Sequence, residues 1–154
     1  MTESDAVRFG GIGPLGLHDG MRYQRAEPPL KLDGLDAARR FFTSCFADTN
    51  PSRESLWVAH LDREARCLHV SNHGGGPVGV QFPIRKIIAD AAVRGSAGVV
   101  LAHNHPSGDA SPSEIDRRAT RRLAEAAQAI DLTVVDHIIF AGSEWRSFRQ
   151  MGLL

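Results

Sequence analysis

The chain has 154 residues, with 18 basic and 18 acidic side chains in balance and a hydrophobic content of 42%. That length suffices for one domain with a real core, and the zero net charge excludes a global electrostatic attraction to nucleic acid, leaving only a local patch. No run approaches the ~20 apolar residues that a membrane helix needs, and the N-terminus lacks a basic-then-apolar export segment. The expected location is therefore cytoplasmic, and Cys45 and Cys67, in different predicted elements and without C-x-x-C spacing, read as reduced core thiols.

In chain order, residues 1–34 form a Gly/Pro-rich arm (Gly10, Gly11, Gly13, Pro14, Gly16, Gly20, Pro28, Pro29) with no sustained period, expected to be extended or partly disordered. The domain proper occupies 35–154. Leu35, Ala38, Phe42 and Cys45 recur at helical spacing and predict a helix from Leu35 to Phe46, with Asp33 or Asp36 as its cap. Asn50-Pro51-Ser52-Arg53 turns the chain into a strand, Leu56 to Leu61, and Cys67 to Ser71 is its hairpin partner across residues 62–66. Asn72-His73-Gly74-Gly75-Gly76-Pro77 reads as a surface turn, because neither flank completes a phosphate-binding loop. Val78 to Phe82 is a third short strand, and Pro83 opens a helix ending near Arg94-Gly95. After the apolar strand Gly98 to Ala102 come a helix from Ser113 to about Ala129, a strand Thr133 to Phe140, and a C-terminal segment through Trp145 and Phe148. Helices alternating with strands in this way predict an α/β (α+β) fold, a mixed sheet flanked by helices.

The run from His103 to Asp116 carries the chemistry. His103 and His105, two apart at a strand end, project to one side. Pro106 ends the ladder, Ser107-Gly108-Asp109 makes a loop, and Pro112-Ser113 opens a helix with Asp116 in its first turn. Two histidines, one carboxylate and no fourth protein ligand is the open arrangement of a catalytic zinc site. A His-x-His pair alone is more often a surface feature, and an Asp at a helix start more often a cap; their convergence is what points to metal. The spelling His-Asn-His does not indicate an HNH nuclease, whose three residues are dispersed along the chain. Nucleobase deamination is excluded, since His-x-Glu followed by Pro-Cys-x-x-Cys does not occur. A zinc hydrolase also needs a carboxylate close to the metal without ligating it. Glu54, at the entry of the first strand, is the chosen candidate, although spacing alone leaves Asp62, Glu64, Asp109 and Glu114 in competition.

The stretch His103-Asn104-His105-Pro106, then Ser113, then Asp116, resembles the JAMM (MPN+) metalloprotease signature, and Ser107-Gly108-Asp109 with Pro112-Ser113 resembles its bacterial RadC-like branch. Arg53-Glu54 before a strand ending in Leu61-Asp62, Pro83 opening a helix, Asp136-His137-Ile138-Ile139 and Ser147-Phe148 match as well, so the resemblance covers Glu54 to Leu154. It implies a JAB/MPN layered architecture, similar to that of cytidine deaminases. It further implies that His103, His105 and Asp116 ligate one zinc ion, that Glu54 is general base and acid, and that Ser113 stabilises the tetrahedral oxyanion, alongside its natural reading as a helix N-cap. The implied activity is hydrolysis of a peptide or isopeptide amide in a protein or peptide substrate.

This chain departs from the RadC-like branch in two places. Ser71-Asn72-His73-Gly74-Gly75-Gly76 and Pro83-Ile84-Arg85 replace the Ser-x-Gly-Thr and Pro-Arg-Glu that the branch typically shows, which bears on the substrate-facing wall of the cleft. The branch's N-terminal helix-hairpin-helix segment has no counterpart in residues 1–50, which weakens the second reading, a DNA-repair or DNA-processing factor binding nucleic acid or a partner without catalysis. Arg117, Arg118, Arg121 and Arg122 form one arc of the long helix, by default a solvated face and otherwise a seat for an acidic group. Asp136 and His137 are expected either to support the metal ligands from behind or to serve the core. His60, His69 and His73 have no partner spacing and read as structural or exposed. Trp57, Trp145 and the seven phenylalanines read as core. A homo-oligomer stays open.

Overall fold

The computed structural model describes residues 30–74 and 82–154. The arm before Leu30, residues 75–77 of the glycine-rich turn, and 78–81 of the predicted third strand lie outside the described residues.

Five strands form one mixed sheet: β1 (Ser55–Leu61), β2 (Cys67–Gly74), β3 (Gly98–Asn104), β4 (Thr133–Ala141) and β5 (Glu144–Ser147). Their spatial order is β2-β1-β3-β4-β5. β1 runs antiparallel to β2 and β3, β3 and β4 are parallel, and β5 returns antiparallel along β4. Among the described residues three helices accompany the sheet, α1 (Leu35–Ala47), α2 (Ile84–Arg94) and α3 (Glu114–Gln128). α3 is the crossover that a parallel β3–β4 pair requires. Every residue of β3 is buried, which is why Gly98 to Ala102 reads as an unbroken apolar run: a central strand covered on both faces has no polar side to show.

The two faces are covered by different helices. Ala38 and Phe42 of α1 pack with Ala59, Val100, Ala102 and Ile138. Ile87 and Ala91 of α2 and Leu123 and Ala127 of α3 pack with Leu56, Val58, Val99 and Leu101. Leu32, which composition assigns to the arm, is buried in the α1 layer. Odd-numbered residues of β3 thus face α2 and α3, and continuing that alternation puts His103 at the mouth of the same face.

β4 breaks the alternation once. Val134 pairs with Val99, yet Asp136 pairs with Val100, so Val135 is an extra residue in the ladder. Such a bulge shifts every later side chain to the other face. Val134 belongs to the α2–α3 layer while Ile138, an even number of residues on, belongs to the α1 layer. His137 is thereby turned towards α3 and the end of β3.

Several expected boundaries shift, for physical reasons. β2 runs to Gly74 rather than stopping at Ser71, because β1 starts at Ser55 and its ladder continues through Leu56–His73 and Ser55–Gly74. Phe82 is not in a strand; its ring lies against those of His103 and His137. Neither Asp33 nor Asp36 caps α1: the N-cap is Gly34, at φ 97°, a left-handed conformation that a side chain resists. Trp57 and Trp145 are half-buried rather than central. Burial raises the thiol of Cys45 to about 12 and that of Cys67 to about 11, so both stay protonated at neutral pH, as inert thiols do.

His60, unassigned by spacing, is fully buried. Its Nδ1 lies 2.9 Å from Ser96 Oγ, while Nε2 is buried with no hydrogen-bond partner among the described residues. Burial, with His69 next in weight, lowers it to about 4; Asp90 opposes the shift, and Arg94 and His73 add to it. A neutral imidazole in the fold and an ordinary one in the unfolded chain means that stability is whole above pH 6.5 and erodes as pH falls towards 4. Discounted for partial screening, the loss amounts to about 2 kcal/mol. Urea unfolding of parent and His60→Leu at pH 7.5 and pH 4.5 should show the parent losing about that much more over this interval; equal losses would assign the acid sensitivity elsewhere.

Candidate metal centre

The end of β3, the start of α3 and the turn before β1 meet at one point. β3 brings His103, buried at 1% exposure, and hands the chain to His105, whose N–H still donates to Phe140 O at 2.8 Å and so keeps the β3–β4 ladder for one more residue. The Pro106–Pro112 loop then folds back, with Gly108 at φ 91°. α3 begins with a capping box: Asp116 N–H donates to Ser113 Oγ at 3.0 Å, and Ser113 N–H donates to Asp116 Oδ2 at 2.9 Å. The box holds the Asp116 carboxylate towards the two imidazoles. His103 Nε2 lies 3.0 Å from His105 Nε2 and 3.4 Å from Asp116 Oδ1, and His105 Nε2 lies 3.1 Å from Asp116 Oδ2.

The donor atoms fit a divalent cation. One from each of His103, His105 and Asp116 lie within 4.8 Å of one another. His105 Nδ1 lies 2.8 Å from Asp109 O; a carbonyl only accepts, so that nitrogen carries the proton and Nε2 of a neutral ring is bare. A bare nitrogen facing another imidazole nitrogen at 3.0 Å, with a carboxylate beside both, calls for a shared cation, either a proton or a metal. Without metal, the hydrogen bond with Asp116 raises His105 above its ordinary value. For Asp116, burial opposes the charged form, but the hydrogen bonds with His103 and His105 outweigh it and hold the carboxyl far below the usual range. Two imidazoles, which are borderline ligands, and one carboxylate, a hard one, form a donor set that suits zinc.

Glu54 lies on the β1 side of the site. It directly precedes β1, and its charge acts on the His105 ring. Asn104, between the two histidines but on the opposite face of β3, grips the main chain on both sides of it: Ser55 N–H donates to Asn104 Oδ1 at 2.8 Å, and Asn104 Nδ2 donates to Arg53 O at 2.9 Å. The sequence contains no signal for this clamp, because its partners are peptide groups. Asp62 accepts from Glu64 N–H and Arg66 N–H in the β1–β2 turn, Glu64 pairs with Arg66, and Asp109 accepts from Ser111 N–H. Glu114 lies 3.8 Å from Arg118.

Behind the site, His137 is fully buried and Thr120 almost so. His103 Nδ1 lies 2.7 Å from His137 Nε2, and His137 Nδ1 lies 2.8 Å from Thr120 Oγ1. The His137 ring stacks on Phe148 at 4.5 Å between centroids. Burial lowers its basicity well below that of an ordinary histidine. Asp136 meets only the main chain of His137, accepting from its N–H at 2.7 Å; the carboxylate also accepts from Ser147 Oγ at 2.6 Å and from Arg149 N–H at 3.0 Å, tying β4 to β5 and the C-terminal turn. Beside His105, a cleft of about 620 Å³ opens between α1 and the β4–β5 hairpin, walled by Phe46, Pro51, Phe140 and Trp145 and floored by Asn104. Ser113, the N-cap of α3, is exposed. Since its oxygen already accepts from Asp116, its own O–H remains to donate outward. Ser113→Ala should destabilise the protein by about 1 kcal/mol through the lost cap, read as a lower urea midpoint; an unchanged midpoint would show that the cap contributes nothing.

A family model for the RadC-like JAB domain matches residues 32–153 of the chain. Among curated relatives, a UPF0758 protein of Flavobacterium johnsoniae is 29% identical over 99% of this chain and 70% of its own length. One from Aliivibrio fischeri is 32% identical over 84% of this chain and 58% of its own length, and UPF0758 protein STH371 of Symbiobacterium thermophilum is 35% identical over 94% and 64%. The chain thus spans between 58% and 70% of the length of these relatives.

Proposed function

We propose that this chain, which belongs to the RadC-like JAB domain family, is a zinc-dependent hydrolase that cleaves a peptide or isopeptide amide. The observation that carries this reading is the convergence of His103, His105 and Asp116 at the end of β3, next to a Glu54 whose flanking peptides are clamped by the residue between the two histidines. The three converging residues hold the metal. Zinc, when bound there, supplies Lewis acidity that activates water near neutral pH and polarises a carbonyl. Glu54 takes the proton from the attacking water and passes it to the departing amine, the two halves of general base and general acid catalysis in one carboxylate. The Ser113 O–H donates to the oxygen on which charge develops. The apolar cleft beside His105 receives the polypeptide on one side of the scissile bond. Cys45 and Cys67 remain reduced thiols, as befits a cytoplasmic location. Among the described residues no helix is long and apolar enough to cross a membrane.

The test is a panel of peptide and isopeptide substrates incubated with zinc-loaded protein, with new amine termini as the readout. Cleavage that a chelator abolishes and zinc restores supports the reading; a panel left intact by fully loaded protein counts against amide hydrolysis.

One observation favours a second reading, contact with nucleic acid. Arg117, Arg118, Arg121 and Arg122 are all exposed on α3, and among the described residues only Arg118 has an acidic partner, Glu114 at 3.8 Å. Phosphate contacts of this kind weaken steeply with salt. A salt-dependent affinity for DNA that vanishes when the four arginines are replaced supports it, and no binding at low salt removes it.

A further inference from the structure

We infer that His137 and Thr120 set the tautomer of His103, presenting its Nε2 bare to the metal, and that this wire closes on the main chain of a second ligand, Asp116. The inference rests on the metal reading above and deepens it.

Proton counting along the contacts leads there. Thr120 Oγ1 donates to Asp116 O at 2.7 Å, and a hydroxyl has one hydrogen. Its remaining contact, to His137 Nδ1 at 2.8 Å, must therefore be one in which the oxygen accepts and Nδ1–H donates. His137, sealed from water and stacked on Phe148, is a neutral ring with a single proton. Its Nε2 is consequently an acceptor, and the 2.7 Å contact to His103 Nδ1 is a bond that His103 donates. A neutral His103 then has no proton on Nε2, the atom 3.4 Å from Asp116 Oδ1. His103 and His105 arrive at one state by different routes, Nδ1–H held by a buried imidazole in one and by the Asp109 carbonyl in the other. The wire begins and ends on ligands, since Thr120 sits one helical turn after Asp116 and accepts its register from α3. It exists only because the bulge at Val135 aims His137 at this face. Fixing the ring and tautomer of a ligand from behind is worth 10–100-fold in metal affinity.

His137 and Thr120 are positioning residues, and zinc affinity of the metal-free chain, measured by chelator competition, reads their role without any substrate. His137→Phe keeps the ring and its stacking but removes both polar ends, and should bind zinc about 10–100-fold more weakly. His137→Gln, which restores an acceptor for His103 Nδ1–H, should recover most of that loss. Thr120→Val, isosteric, should weaken binding several-fold. In the metal-free parent, two-bond ¹⁵N–¹H correlations of His103 should show the proton on Nδ1. Should His137→Phe not fold, Thr120→Val and the His103 correlations decide. Zinc bound by the parent and by the folded variants within twofold, or a His103 proton on Nε2, overturns the inference while leaving the metal reading standing. A parent that takes up no zinc overturns both.

Discussion

His103→Ala and Asp116→Ala are each expected to lower zinc affinity by at least about a hundredfold, since losing an outer-shell partner already costs 10–100-fold and here one of three donors disappears. The two variants fail in different ways. His103→Ala leaves His137 Nε2 buried without the donor now 2.7 Å away. Asp116→Ala also opens the capping box, because Ser113 N–H loses its acceptor, so about 1 kcal/mol of helix stability goes with the metal. Asp116→Asn separates the effects: an amide oxygen can still accept from Ser113 N–H, but it offers zinc no charge. Its helix should therefore persist while its zinc is lost. Elemental analysis and chelator competition, with circular dichroism to verify the fold, check all three. Parent-like zinc binding in His103→Ala would show that the ligand set is wrong.

Glu54→Gln is expected to keep zinc and the fold while reducing hydrolysis by about 10²–10⁴-fold, the range that a positioned proton acceptor contributes. Gln has the shape of Glu but takes up no proton. The position itself survives the exchange, because Asn104 holds residue 54 through the peptides on either side and not through its side chain. The rate of zinc-loaded variant and parent on one amide substrate measures it; parent-like turnover would remove Glu54 from the chemistry and leave the metal in place. Equal zinc content in the two proteins is part of the expected result.

Much of this centre is legible in the chain itself. A strand period of two puts His103 and His105 on one side, and capping grammar puts Asp116 in the first turn of α3 with Ser113 before it; both are local rules, and the structure follows them. Glu54 is different. It lies outside the reach of any local period, and only the family resemblance selects it from the other carboxylates; the β1–β3 ladder, which pairs Leu56 with His103, is what brings it near. The bulge at Val135 has no signature, because Thr133–Ala141 is apolar with or without one extra residue, yet it decides which face His137 takes. Asn104 is hidden for another reason: its partners are backbone groups, which every residue possesses. Gly34, in place of Asp33 or Asp36, starts α1 because the chain must turn from buried Leu32 through a positive φ, a demand set by tertiary packing.

X-ray absorption at the zinc edge of the loaded parent protein tests the centre most directly. Two imidazole nitrogens at about 2.0–2.1 Å, with the remaining neighbours oxygen at about 2.0–2.2 Å and no sulfur, is the spectrum expected of His103, His105 and Asp116. A sulfur neighbour near 2.3 Å, which would bring in Cys45 or Cys67, or a protein that takes up no zinc, would contradict it.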